Sequence, residues 1–199
     1  MLKSKEYLSD IADKCIKIAK KLGASDVEIS VSNIISDTIN YRNKKKEQSD
    51  RSEILSLGLI TYIDKKKSNV STSNFDEYNL TSLIERCMQH TRISPEDEFV
   101  GLPDKDSLEI NFKNLDLYDP KLLSHNFKED FLADMEDEMF SNPKIKNSNG
   151  SSFTEVKSNF IFANSIGFCE GYNTSSYSVF CEALAEDNNQ MERDYEFNV

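Results

Sequence analysis

Two histidines, His90 and His125, are the first residues to test for chemistry. A helix that carries catalytic zinc needs two imidazoles on one face and a glutamate beside them to activate water. Neither histidine has a second one three, four or five positions on, so each reads as a solvated or capping residue. Ser141-Asn142-Pro143-Lys144 matches the letters S-x-x-K, a pairing that works when serine and lysine stand one helical turn apart. Pro143 breaks that turn, so the match reads as chance. Glu129, Asp130, Asp134, Asp137 and Glu138 could be read as a carboxylate metal site, but such sites turn their carboxylates inward. Here Phe127, Phe131, Met135 and Met139 are expected to take the inward face and the acids the solvent. Asp187-Asn188-Asn189 lacks the glycine and the twelfth-position glutamate of a calcium loop and reads as a hairpin turn. Cys15, Cys87, Cys169 and Cys181 are scattered, with no two-residue gap, and read as reduced, half-buried thiols. Cys169 and Cys181, twelve apart, would share a face of an unbroken strand yet stand too far apart to bond or share a metal. No phosphate-binding glycine loop or nucleophile elbow occurs, and no catalytic, cofactor-binding or metal-ligating residue is assigned.

The composition narrows the classes. The chain has 199 residues, 38% hydrophobic and 30% charged, with 10% aromatics that argue against disorder. Its net charge of −11 would repel a phosphate backbone, so no nucleic acid is expected as a partner. Lys44-Lys45-Lys46 and Lys65-Lys66-Lys67 are local exceptions placed at hairpin turns. No apolar run is long enough to span a membrane, and the N-terminus, charged through its apolar positions, is not a secretory signal. A cytoplasmic location is expected.

These residues need elements to position them. Leu8, Ile11, Ala12, Cys15, Ile18, Ala19 and Leu22 recur at helical spacing, with Gly23 as the stop. Val27, Ile29 and Val31 then alternate with polar residues as a strand, and Ile39 and Tyr41 continue the pattern in a second. Ile54 to Ile63 is expected as a central strand and Asn69 to Ser73 as a polar edge strand. A second helix carries Leu80, Leu83, Ile84, Cys87 and Met88, starts at an Asp76 cap, and ends before Ser94-Pro95. Residues 94–125 read as an ordered linker anchored by Phe99, Val100, Leu102, Leu115, Leu117 and Tyr118. A third helix runs from about Asn126 to Ser141. Strands follow over Phe153 to Ala163, Phe168 to Glu186 and Met191 to Phe197, with Gly167 at positive φ in the turn at Asn164-Ser165-Ile166. The fold class is α+β, helices packed on antiparallel sheets, in two helix-plus-strands lobes of residues 1–93 and 126–199.

The landmarks, taken in order, resemble a known family. They are Leu22-Gly23-Ala24-Ser25-Asp26 before Val27-Glu28-Ile29, and Leu57-Gly58-Leu59-Ile60-Thr61-Tyr62 with Ser71-Thr72-Ser73. Next come Ser94-Pro95-Glu96-Asp97 with Gly101-Leu102-Pro103-Asp104, and Asp116-Leu117-Tyr118-Asp119-Pro120. The last are Asn164-Ser165-Ile166-Gly167-Phe168 and Met191-Glu192-Arg193-Asp194-Tyr195. Together they resemble the N-terminal half of the TldD/PmbA family, on its PmbA (TldE) side. One departure is Lys44, where the family usually has a glycine after Arg42-Asn43. The resemblance implies a cytoplasmic metallopeptidase heterodimer acting on unfolded peptides, including modified peptide precursors and antitoxins. It implies zinc in a TldD-like partner subunit and none in this chain, since PmbA-like subunits lack the zinc motif. The expected role is therefore a non-catalytic accessory domain, with the polar edge near Asn69 to Ser73 as a candidate to hold an extended peptide. The family's C-terminal β-rich domain is not within these residues. The alternative expectation is a truncated remnant, or a stand-alone binding domain with no enzymatic role.

Overall fold

The structure is a computed structural model and describes residues 2–109 and 112–199. Residues 110 and 111, inside the expected linker, lie outside the described residues.

Helix α1 spans Lys5–Lys21, and the Ser4 hydroxyl accepts from Tyr7 N to satisfy a free amide of its first turn. Leu8, Ala12, Cys15 and Ala19 form its buried stripe. Gly23, at φ +94°, ends it as the sequence predicts. Strand β1 is one continuous strand, Asp26–Arg42, where the sequence suggested two. The strict inward alternation runs through polar Asn33 and Asp37, both buried, and their polarity hid the continuity. Asn33 is satisfied by Lys3 N at 2.8 Å and by donation to Ile54 O.

Strands β2 (Lys45–Ile63) and β3 (Lys66–Thr72) pair antiparallel from Leu57↔Thr72 to Ile63↔Lys66. Their turn is therefore Asp64-Lys65, and the next two lysines lie in β3 rather than in the turn. Helix α2 covers Glu77–Ile93, preceded by Asp76 and closed by an extended Ser94 before Pro95. Among its described residues the connector from 94 to 124 contains one short 3-10 turn, Lys105–Ser107. Three of its expected anchors do not anchor: Phe99, Leu115 and Leu117 are 95%, 65% and 44% exposed. Phe112 packs edge-on to Phe168 instead, and Leu123 joins a core cluster.

Helix α3 is His125–Phe140, capped by the Ser124 hydroxyl on Phe127 N. Strands β4 (Ile145–Asn164), β5 (Cys169–Asp187) and β6 (Gln190–Asn198) complete one antiparallel sheet in the order β3-β2-β1-β4-β5-β6. Strand β2, expected at the centre, is second from an edge, while β1 and β4 are central. The fold is α+β.

Two turns carry paired left-handed residues, Asn43-Lys44 (φ +50° and +60°) and Asn188-Asn189 (φ +49° and +63°). This is the backbone of a tight two-residue hairpin, which confirms the hairpin reading at Asp187-Asn188-Asn189. Gly167 takes φ +103° as predicted, and the Asn164 carboxamide oxygen accepts from Ile166 N and Phe168 N.

The chain forms two compact units. One comprises residues 1–34, 54–117 and 158–173. Its core sets Leu8, Ala12, Cys15 and Ala19 of α1 and Leu80, Ile84 and Met88 of α2 with Val27, Ile29, Leu57, Leu59 and Ile161 of the sheet. Thr61 and Thr91 join their hydroxyls at 2.7 Å within it. The other comprises residues 35–53, 118–157 and 174–199. Its core is Ile39, Leu132 and Phe153, with Tyr41, Leu123, Met135, Tyr177 and Val179 partly buried against them.

Candidate functional site

Helix α3 overturns one expectation. Its buried residues are Lys128, Leu132 and Glu136, while Phe127 and Phe131 are 48% and 41% exposed. The row that faces inward is therefore one residue over from the aromatic row, a rotation of about 100° on a helix. Phe127 and Phe131 set their rings edge-on to Phe153 from the flank. The acids named from the sequence do stay outside, Asp130, Asp134, Asp137 and Glu138 exposed and Glu129 half-buried, but a further one, Glu136, is fully buried, and its Oε2 accepts from Lys44 N at 2.8 Å.

Bringing Lys128 inside requires anionic partners, because an unpaired buried ammonium is very costly. The strands supply them by parity. Asp37 lies on the inward face of β1 with Ile39, and Glu155 and Lys157 lie on that of β4 with Phe153. Lys128 Nζ stands 3.1 Å from Asp37 Oδ1 and 2.7 Å from Glu155 Oε2. Glu155 Oε1 is 3.4 Å from Lys157 Nζ. Lys157 in turn donates to the backbone carbonyls of Asp119 (3.1 Å) and Lys121. Asp37 Oδ2 also faces Arg51 and His125, each at 3.4 Å. Burial pushes the Asp37 carboxyl up, but the Lys128 hydrogen bond and the charges of Lys128, His125 and Arg51 outweigh it and hold the group below its ordinary value.

The cluster has no spare charge for chemistry. Within it Asp37 and Glu155 are answered by the ammonium groups of Lys128 and Lys157, and Lys128 is 1% exposed, so its amine is not open to a substrate. The arrangement is a strut: it ties α3 to β1 and β4, and through Lys157 it clamps Asp119-Pro120-Lys121. Tyr177 Oη and Ser175 Oγ hold Asp119 as well. Composition and spacing passed over all four core members, although their parity was legible. Asp37 follows Ile35 and precedes Ile39 at period two, Glu155 and Lys157 follow Phe153, and Lys128 stands four before Leu132.

Except for His125, which faces Asp37, the other candidates stay apart from this cluster. His90 is exposed, and His125 is the first residue of α3, with Ser124 doing the capping. Ser141 Oγ donates to Glu138 O, while Lys144 pairs with Asp187 at 2.6 Å, so the serine and lysine of the S-x-x-K letters serve separate ends of structure. The thiols are not uniformly half-buried: Cys15 and Cys87 are buried, Cys181 is intermediate and Cys169 exposed. Burial pushes the Cys15 thiol up to about 11. Among the described residues no three His, Cys, Asp or Glu side chains converge as metal ligands, so the donor set does not fit a zinc site.

A second feature lies in the other unit. The β3 edge exposes Lys67, Asn69 and Ser71, and beside it the sheet has a concavity of about 240 Å³. Glu28, Ser30, Gly58, Ile60, Asn69 and Phe162 line it. Tyr62 Oη donates to Glu28 Oε2 at 2.6 Å, and burial together with that carboxylate raises the Tyr62 phenol far above its usual value.

Comparison with known proteins gives a consistent picture. Residues 118–199 match the family model of the PmbA/TldA metallopeptidase central domain. A metalloprotease PmbA homolog of Haemophilus influenzae is 26% identical over 201 residues, covering 100% of this chain and 44% of that protein. Metalloprotease PmbA of Escherichia coli O157:H7 is 24% identical over 197 residues, covering 98% of this chain and 43% of its own length. The chain therefore spans less than half the length of these curated relatives. The crystal structure of TldE from Thermococcus kodakarensis shares the fold, with a TM-score of 0.76 at 14% identity over 94% of this chain and 42% of that one.

Proposed function

The chain belongs to the PmbA/TldD metallopeptidase family, and from that premise we propose that it is the N-terminal part of a PmbA-like accessory subunit. In this reading it assembles with a zinc-bearing TldD-like partner in the cytoplasm and helps present unfolded peptides to it. The observation that carries the proposal is the reach of the likeness. It covers the whole chain against a metalloprotease PmbA homolog and includes the central domain at 118–199. The role is architectural. The buried strut holds α3 and the Asp119-Pro120-Lys121 segment in place, the sheet edges offer main-chain pairing to an extended peptide, and the zinc belongs to the partner.

One surface supports a partner. Met191, Tyr195 and Phe197 alternate along one face of β6 and are 63%, 61% and 62% exposed. Phe180 pairs with Phe197 and stacks at a tilt on Tyr195, 5.9 Å between rings. A row of aromatic residues left in water marks an interaction surface. The same row suits the second reading, a remnant or stand-alone binding domain, and assembly separates the two. Mixing this chain with a TldD-like subunit from the same source should give a complex by size exclusion and zinc-dependent cleavage of an unfolded peptide. A chain that stays alone at near-physiological salt favours the second reading.

A further inference from the structure

We propose that the open edge of β3 and the concavity beside it receive an extended peptide, with a lysine or arginine side chain in the concavity. The inference rests on the peptide-presenting reading above and names which peptides this surface prefers.

Strand β3 is the terminal strand of the sheet order, so among the described residues one side of its backbone has no strand partner. An unpaired edge takes up another strand through main-chain hydrogen bonds, and selectivity then comes from pockets that meet alternate side chains. The exposed residues Lys67, Asn69 and Ser71 share one face at period two, and the concavity lies on that face. Gly58 makes the space: it pairs with Ser71, and a Cβ there would stand 3.0 Å from Ser30 Oγ. A glycine inside a strand often marks the close approach of a ligand.

The lining selects the side chain. Ile60 and Phe162 supply an apolar floor, suited to the alkyl stem of lysine or arginine. Glu28 is the charged residue of the wall, and Tyr62 fixes its carboxylate. A cation there meets both a carboxylate and an aromatic face. Lys67 stands two residues from the lining Asn69, about 7 Å along the strand, and is exposed, so water and salt screen it from that cation. The net charge of −11 draws cationic peptides to the chain in the same sense.

The test uses the full chain and fluorescein-labelled nine-residue peptides of serine, threonine and valine, read by anisotropy. One peptide has a central lysine, one a central glutamate, and one the lysine flanked by prolines that cannot pair with an edge. The lysine peptide should bind about tenfold tighter than the other two. Glu28→Gln should erase the preference over glutamate, and Gly58→Val should remove binding while circular dichroism stays unchanged. If Gly58→Val does not fold, Glu28→Gln still decides. Equal binding of the lysine and glutamate peptides overturns the inference. So does a preference that survives Glu28→Gln, full binding of the proline peptide, or no peptide binding at all. Assembly with a TldD-like chain is followed in parallel. Lost peptide preference with intact assembly removes this inference alone, and lost assembly with intact preference removes the accessory-subunit reading alone.

Discussion

Replacing Lys128 with methionine should be among the most destabilising single changes in the chain. The substitution keeps the bulk of the side chain but removes the ammonium from between Asp37 and Glu155, at 3.1 and 2.7 Å. Breaking a buried pair in this way costs about 3–5 kcal/mol, since the carboxylates stay behind without their counter-charge. Arg51 still faces Asp37, and Lys157 still faces Glu155, each at 3.4 Å, so the lower end of that range is expected. For a chain of this length that is a fall of roughly 10 °C in Tm. Urea unfolding at pH 7 and pH 4 measures it. Because Asp37 is held below its ordinary value, its contribution is complete above the unfolded-state pKa of about 3.9 and is lost as pH falls through the lower folded value. In Lys128→Met the abandoned Asp37 carboxylate is relieved by protonation, so the deficit should shrink from pH 7 towards pH 4. Adding Asp37→Asn and Glu155→Gln to the variant should recover much of the loss at pH 7. A deficit under about 1 kcal/mol at pH 7, or one that does not change with pH, would refute the view of this cluster as a tightly paired strut.

Other outcomes follow from single positions. Gly171→Ala would place a Cβ 1.8 Å from the carbonyl oxygen of Phe160, so β5 must shift away from β4 there, and a loss of about 3 kcal/mol or failure to fold is expected in urea titrations. Lys44→Gly relieves a left-handed lysine at φ +60°, worth about 1 kcal/mol, and gives up only an exposed pair with Asp137, so a small net gain in the urea midpoint is expected. Thiol labelling of the folded chain at pH 7.5 (read by peptide mass) should modify exposed Cys169 first and leave Cys15, raised to about 11 by burial, unmodified until the chain unfolds.

The sequence was most legible where period and punctuation agreed. Helix α1, with its regular stripe and Gly23, and helix α2, with Pro95 beyond it, were both placed from pattern alone. The turn at Gly167 and the hairpin at Asn188-Asn189 were legible for a similar reason, because left-handed backbone restricts which residues can stand there. The misreadings on β1 and α3 share one cause, the assumption that charge means solvent, while the one on β2 has another. The start of β2, Lys45 to Glu53, is exposed and polar, and nothing in its side chains announced a strand. Asp37 interrupted β1 on paper but not in space. On α3 the aromatic row looked like the buried one, yet Lys128 and Glu136 flank Leu132 on the inner line. A charge can be buried when its partners come from distant segments, here Asp37 and Glu155, and helical spacing alone does not bring them into view. The connector erred in the opposite sense: Phe99 and Leu115 looked like anchors and stand in water.

The most direct test of the accessory-subunit account is to mix this chain with a TldD-like subunit from the same source. Complex formation is followed by size exclusion and cleavage of an unfolded peptide with and without a zinc chelator. The account predicts a stable complex at near-physiological salt and cleavage that requires both the partner and zinc. No complex, with cleavage by the partner unaltered by this chain, would contradict it.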